Sequence, residues 1–229
     1  REVFALKIDI SKFFYTIDHN ILLSMLKDLD KDDYVRVKNL LDSTDMDYVN
    51  ENILKLINKN KCDLPLYEKG KSLPIGNLSS QCLSIFFTYK LDFYIIHTLK
   101  CKHFVKYMDD YMILSNDKEK LRKVKDILIN KLINEYKLKI NYKKTFIVSL
   151  NDGVEFLGRV FKIKDDKTII SIRKSSLKIM KKNIRRGIKK YKKDRTKFEY
   201  LKGMIMNYSY STKCNTMMIR KYIREFFLI

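Results

Sequence analysis

No stretch of these 229 residues approaches the roughly 20 consecutive apolar residues that a membrane-crossing helix requires. The chain also does not open with the charged-then-apolar run of a secretory leader. A soluble, cytoplasmic protein without a membrane partner is therefore expected. Cysteines are few: Cys62, Cys82, Cys101 and Cys214 lie far apart and form no Cys-x-x-Cys pair. That spacing suggests neither a zinc site nor a disulfide framework, and the four are read as reduced, packed thiols. Acidic residues are scarce at one end, where residues 171–229 hold 18 basic and 3 acidic side chains, or +15 of the formal +21. Lysine supplies 38 of the 48 basic residues, a skew that an AT-rich genome alone could produce. Composition does not account for the concentration at one end, which points to a polyanionic partner. A hydrophobic content of 45% suffices for one compact body or two subdomains.

Chemistry concentrates in Phe104-Val-Lys-Tyr-Met-Asp-Asp-Tyr-Met-Ile-Leu114, where Asp109 and Asp110 separate two short runs of aromatic and β-branched residues. This reads as a β-hairpin with acids at its tip. Alternation places Val105, Tyr107 and Asp109 on one face and Phe104, Lys106 and Met108 on the other. Asp-Asp alone is ordinary turn chemistry. A second run, Phe4-Ala-Leu-Lys-Ile-Asp-Ile10, has a hydrophobic back formed by Phe4, Leu6, Ile8 and Ile10, with Ala5, Lys7 and Asp9 opposite. If the two runs pair, Asp9 meets Asp109 and Asp110. Adjacent buried carboxylates repel unless a cation compensates them. Hard oxygen donors suit Mg²⁺ shared with substrate phosphates, and two such ions roughly 3.5–4 Å apart form the clamp used for in-line displacement at phosphorus.

Several blocks in order carry a family resemblance: Asp9-Ile-Ser-Lys-Phe-Phe14 with Ile17-Asp-His19, Leu73-Pro-Ile-Gly-Asn-Leu-Ser-Ser-Gln81, Tyr107-Met-Asp-Asp110, Lys143-Lys-Thr145 and Phe156-Leu-Gly158. They resemble motifs A to E of reverse transcriptases. Within that superfamily the chain is most similar to the bacterial type, and Ile75-Gly-Asn-Leu-Ser-Ser-Gln81 resembles the form found in diversity-generating retroelements. Group II intron and retron enzymes usually read Gln-Gly and Ser-Pro at the ends of that block, where this chain has Ile75 and Gln81.

The resemblance implies an α+β fold: a right-hand polymerase palm, with an antiparallel sheet and packed helices, partial fingers and a C-terminal helical thumb. Residues 1–19 and 73–170 would be palm, 20–72 partial fingers and 171–229 thumb. It implies RNA-directed DNA polymerase activity, making cDNA by two-metal nucleotidyl transfer with two Mg²⁺ ions or Mn²⁺ as substitute. Asp9, Asp109, Asp110 and the Ile10 carbonyl would hold metal, and Lys144 would protonate departing pyrophosphate. Ser11, Lys12, Phe13, Phe14, Ile75 and Gly76 would surround the nucleotide, with backbone amides after Asp9 facing its phosphates. Ser80, Gln81, Tyr107, Met108, Leu157, Gly158, Lys181 and Arg185 would meet template or primer. An RNA template, a DNA or RNA primer, dNTPs and a small basic accessory protein are the implied partners, and a bacterial or phage genome the implied source. In relatives an N-terminal fingers segment precedes motif A, and its absence leaves open whether this chain acts alone.

Two positions refine the expectation. Phe14, five residues after Asp9, occupies the place where DNA-making relatives carry an aromatic that collides with a ribose 2′-hydroxyl; core packing is the less favoured alternative. Ile75 replaces a glutamine that in retroviral enzymes hydrogen-bonds near the incoming sugar. An isoleucine cannot do so, which predicts looser geometric control and frequent misincorporation, notably opposite adenine. The alternatives are a group II intron or retron enzyme and a non-catalytic nucleic-acid-binding palm and thumb fragment. An RNA-making palm enzyme is disfavoured by Phe14 and Tyr107-Met108.

Periodicity predicts one helix over 20–41 capped by Asn20, another over 48–59, and a long apolar helix over 78–99 for which Gly76 permits close backbone approach. A helix from Asn116 or Asp117 to Tyr136 should bury Leu121, Val124, Leu128, Leu132 and Tyr136. Residues 138–150 read as extended, and Asp152-Gly153 and Asp165-Asp166 as turns. The acids from Asp28 to Asp47 alternate with lysines and lack a calcium-loop glycine, so they read as solvated surface. From Ser175 a helix with the stripe Leu177, Met180, Ile184, Ile188 and Tyr191 presents lysines and arginines on its other faces. Two further helices are expected over 197–208 and 216–227.

Overall fold

A computed structural model describes residues 2–42, 46–62, 64–193 and 203. The chain divides into two compact units, one spanning Val3–Ile147 and one beginning at Val148.

The first unit is built on strands β1 (Phe4–Asp9), β2 (His103–Tyr107) and β3 (Asp110–Ser115), with β4 (Phe146–Ser149) at its end, in the order β2-β3-β1-β4. β1 lies antiparallel to β3, and β2 antiparallel to β3. The pattern of β1 alternates, yet both its faces are covered: Leu6 and Ile8 on one side and Ala5, Lys7 and Asp9 on the other are all buried. Behind the sheet pack α5 (Leu78–Phe93), continued by a π-helical turn over Tyr94–Thr98, and α6 (Lys118–Asn134). α6 buries Leu121, Val124, Leu128 and Leu132, followed by Tyr136, and Asp117 caps it by accepting the Lys120 N–H at 2.9 Å. Sequence periodicity and structure coincide here because one apolar stripe faces one core.

The expected helix over 20–41 is two. α1 (Phe13–Thr16) is a single turn, α2 runs His19–Met25, and α3 runs Lys31–Asp42. Leu26 and Leu29 donate to carbonyls three residues back, which tightens and ends α2. Asp30 then restarts the helix by accepting the Asp32 N–H. The cap of α2 is Asp18, not Asn20: its carboxylate accepts the N–H groups of Asn20 and Ile21 at 2.9 and 3.1 Å. α4 (Met46–Asn60) agrees with expectation.

The second unit contains the sheet β5 (Val154–Phe156), β6 (Arg159–Lys164) and β7 (Lys167–Ile172), followed by α7 (Lys174–Lys193). On α7, Met180 and Ile184 are buried, with Ile172, Leu177 and Ile188 packed against them. The helices expected over 197–208 and 216–227 lie outside the described residues. Among the described residues no helix is long and apolar enough to cross a membrane.

Candidate active site

Strand register brings the acids to one end of the sheet. Asp9 stands opposite Asp110, and Asp110 opposite Tyr107. Alternation then puts Lys7, Asp9, Asp110, Met112, Val105 and Tyr107 on one face, while Leu6, Ile8, Lys106, Tyr111 and Ile113 face the helices. The hairpin closes through Met108-Asp109, with Met108 at φ 54°, a sign found in the primed turns that match strand twist and usually taken by glycine or asparagine. Asp109 therefore sits in the turn, and Asp110, rather than Asp109, is the strand-end acid. A two-residue turn ends the alternation one residue earlier than periodicity suggests.

Neighbouring segments pin this end. The Ile10 N–H points at the Asp109 carbonyl at 3.4 Å, and the Ser11 N–H donates to the Lys139 carbonyl at 2.7 Å. These two amides are thus engaged rather than presented to a phosphate, because Ile10 bridges Ile140. Asn141 N–H donates to the Asp9 carbonyl at 2.9 Å, and the Asp9 N–H donates to Thr145 Oγ1 at 3.3 Å. Between them Tyr142–Lys144 forms a 3₁₀ turn inside a stretch expected to be extended. That turn sets Lys144 Nζ 3.4 Å from Asp9 Oδ2.

Electrostatically the cluster is strained. Asp9 is 6% exposed. Burial pushes the Asp109 carboxyl above its ordinary range; the negative charges of Asp110 and Asp9 add to this, while a backbone hydrogen bond and Lys144 oppose it. Asp110 Oδ1 is buried without a hydrogen bond, and Lys7 Nζ lies 3.4 Å away. A buried carboxylate oxygen held by an ion pair but by no hydrogen bond, beside two more acids, fits a hard cation in its chemistry. Among the described residues no three His, Cys, Asp or Glu side chains form a ready cage. That is compatible with Mg²⁺, which usually takes one or two carboxylates and completes its shell with water and substrate phosphates.

The other anticipated positions divide. Phe13 is 3% exposed and belongs to the core, while Phe14 is partly buried beside it, the rings meeting edge-on at 5.7 Å. Lys12 precedes them in a left-handed conformation, φ 52°. Ile75 is exposed. Gly76 adopts φ 104°, but no atom lies within 4 Å of where a Cβ would stand. Its requirement is thus backbone conformation, not the close approach expected of it. On the first turn of α5, Ser80 is buried and Gln81 exposed, so of the two only Gln81 is open to solvent. Tyr107 is exposed and Met108 half-buried.

Residues 1–161 match the family model described as reverse transcriptase (RNA-dependent DNA polymerase). The chain belongs to the reverse transcriptase family. Among solved structures it is similar to apo telomerase from Candida tropicalis truncated from its C-terminal domain, with TM-score 0.52 and 13% identity over 75% of this chain and 36% of that one. Telomerase from Candida albicans in complex with a TWJ fragment of telomeric RNA aligns with TM-score 0.49 and 18% identity over 83% of this chain and 35% of that one. The first likeness is one of fold, and the chain spans about a third of the length of either telomerase. No curated protein matches the chain.

For a reverse transcriptase domain the structure adds contacts that the motifs do not announce. Leu73 N–H donates to the Phe14 carbonyl at 2.7 Å and Ser72 N–H to the Ile17 carbonyl at 2.8 Å, tying the lead of motif B to the turn after motif A. The buried His19 donates from Nε2 to the Ser72 carbonyl at 2.6 Å. Only the proximity of His19 to motif A hinted at this in sequence. Lys7, likewise unassigned, is the buried cation beside Asp110.

In the second unit Leu157 and Gly158 make the β5–β6 turn with φ 49° and 75°. Lys178, Lys181, Lys182, Arg185, Arg186 and Lys189 line an open groove along α7. Lys181 and Arg185 thus stand on one basic surface. Such a surface attracts polyanions by charge.

Proposed function

We propose that this chain is the palm-centred part of an RNA-directed DNA polymerase that extends a primer with deoxynucleotides on an RNA template. The observation that carries the reading is the register Asp9–Asp110 at the sheet end beside the Asp109 turn. Asp9 and Asp109 would hold two Mg²⁺ ions, with Asp110 and the Ile10 carbonyl in support. When bound, such ions lower the barrier to attack by the primer 3′-hydroxyl and stabilise the leaving pyrophosphate. Lys144, 3.4 Å from Asp9 and mostly exposed, can turn toward the departing group and deliver a proton. Phe14 gates the sugar, and Gln81 and Tyr107 support template and primer. The α7 surface grips the duplex through its phosphates.

The reading extends to an error-prone enzyme of the diversity-generating retroelement type, in a bacterial or phage setting with a small basic accessory protein. Its support is Ile75, exposed on the motif B loop where a glutamine would supply a hydrogen bond. The deciding assay is Mg²⁺- or Mn²⁺-dependent extension of a primed RNA template by the wild type but not by Asp109→Asn. Duplex binding without extension by either would instead identify a non-catalytic nucleic-acid-binding fragment. Replacing Ile75 with Gln should lower misincorporation opposite adenine, and an unchanged error spectrum removes the error-prone reading.

A further inference from the structure

Behind the catalytic hairpin, α5 presents a single polar ridge. Ser84, Thr88 and Asp92 recur every four residues, about 6 Å apart along the helix axis. Lys106 on β2 and Met108 in the turn that follows both reach this ridge, and the groups meet pairwise. Ser84 Oγ lies 3.8 Å from Met108 Sδ. Lys106 Nζ donates to Thr88 Oγ1 at 2.8 Å and forms an ion pair with Asp92 Oδ2.

These groups are withdrawn from water. Ser84 and Thr88 are buried, and the Lys106 and Asp92 side chains are 12% and 24% exposed. The Lys106 ammonium also stands 5.6 Å from the ring centroid of Tyr111, its cross-strand neighbour. Ion pairs this buried seldom add stability over an apolar pair of the same volume, and Phe87, Phe104 and Ile113 belong to the apolar core of the same unit. What a charged hydrogen-bonded pair adds is direction. A packed apolar surface tolerates sliding of a strand along a helix more readily than a bond to a fixed oxygen does. The turn needs such restraint, because Met108 is held at positive φ, a conformation that persists only where its surroundings over-determine it.

We propose that Lys106 is a positioning residue, which through Thr88 and Asp92 locks the height of the Met108-Asp109 turn against α5. It thereby places Asp109 and Asp110 relative to Asp9 and to the Gln81 end of the same helix. The inference rests on the polymerase reading for its consequence, and on the contacts alone for its geometry.

The test separates position from stability, using the full chain carrying Lys106→Met, Asp92→Asn and the double change Lys106→Met with Asp92→Leu. Melting temperature, single-turnover nucleotide addition at saturating primer–template, and the ¹³C-methyl signal of Met108 without substrate are read together. Lys106→Met alone leaves a buried carboxylate unpaired and lowers the melting temperature. The double change restores it, yet addition stays about 10- to 100-fold slower, the range expected for misplaced reacting groups, with primer–template affinity unchanged and the Met108 signal displaced. Asp92→Asn keeps an acceptor for Lys106 and folds even if the double variant does not; it slows addition less and displaces the signal in the same direction. Wild-type rate with an undisplaced Met108 signal in the restored double variant, or in Asp92→Asn, overturns the inference. A wild type that never extends a primer defeats the polymerase reading instead. The Met108 signal still decides the positional claim, upholding it if displaced and ending it if not.

Discussion

The acid-bearing end of the four-stranded sheet and the basic face of α7 hold charge in opposite ways. At the sheet end there are three carboxylates, with Asp9 and one oxygen of Asp110 withdrawn from solvent and single lysines at 3.4 Å. Along α7 there are six cations around one open groove. Buried charge interacts strongly with few neighbours, because little water intervenes. Exposed charge interacts weakly with many, and salt screens it. Each acid should therefore be individually decisive, whereas the cations should act as a sum.

The largest effect that can break this contrast is at Asp9. Asp9→Asn keeps shape and removes the charge, and should cut primer extension by at least about 10³-fold, the scale on which a missing charge-stabilising group is felt in phosphoryl transfer. Gel-resolved extension at saturating substrate measures it, and near-normal extension would show that Asp9 takes no part in the chemistry. Next in size is the sugar gate proposed for Phe14. Phe14→Ala should reduce the preference for deoxynucleotides by roughly 10- to 100-fold, typical of removing a shape constraint, as read by competing dNTP and NTP incorporation; unchanged rejection of ribonucleotides returns Phe14 to the core.

On the other side of the comparison, Lys181→Ala with Arg185→Ala should flatten the log–log salt dependence of duplex binding by up to about 2, near 0.9 for each phosphate no longer neutralised. Addition at saturating duplex should be unaffected. A single change at Lys182 should move duplex affinity only a few-fold, and a collapse from one substitution would show that α7 binds by a specific contact instead of by summed charge.

The smallest effect is on stability, and its sign is fixed by burial. Asp109 has a folded-state pKa above its ordinary value, so the folded chain holds that proton more tightly than the unfolded one. The charged form costs stability at neutral pH, and the cost disappears as pH falls through the raised pKa toward the ordinary carboxylate range. Asp109→Asn should therefore melt slightly higher than wild type at pH 7, with the difference closing on acidification. A variant that melts lower at pH 7 would mean that the Asp109 carboxylate is stabilised where it stands.

Local pattern made much of the fold legible. The hairpin followed from alternation on either side of Asp109-Asp110, α6 from five apolar positions at helical spacing, and α7 from its stripe. The break between α2 and α3 was less visible, since Leu26, Leu29 and Asp30 satisfy helical periodicity while their backbone bonds tighten and stop. The 3₁₀ turn at Tyr142–Lys144 was hidden for the same reason: Lys143-Lys144-Thr145 suits a strand or a turn, and only pairing with Asp9 and Ile10 selects the turn. Lys7 and Lys106 read as alternating strand lysines, with nothing nearby in sequence to name Asp110 or Asp92 as partners.

By itself the sequence determined the catalytic-type hairpin and the stripes of α6 and α7, where the acids are, and which end of the chain is basic, because those properties depend on neighbours a few residues apart. Only the tertiary structure decided that Asp9 faces Asp110 across about a hundred intervening residues, that Asp110 and not Asp109 ends the strand, and that buried lysines stand beside the acids and beneath the hairpin. Those outcomes depend on register and on the exclusion of water, which arise only when distant segments pack together.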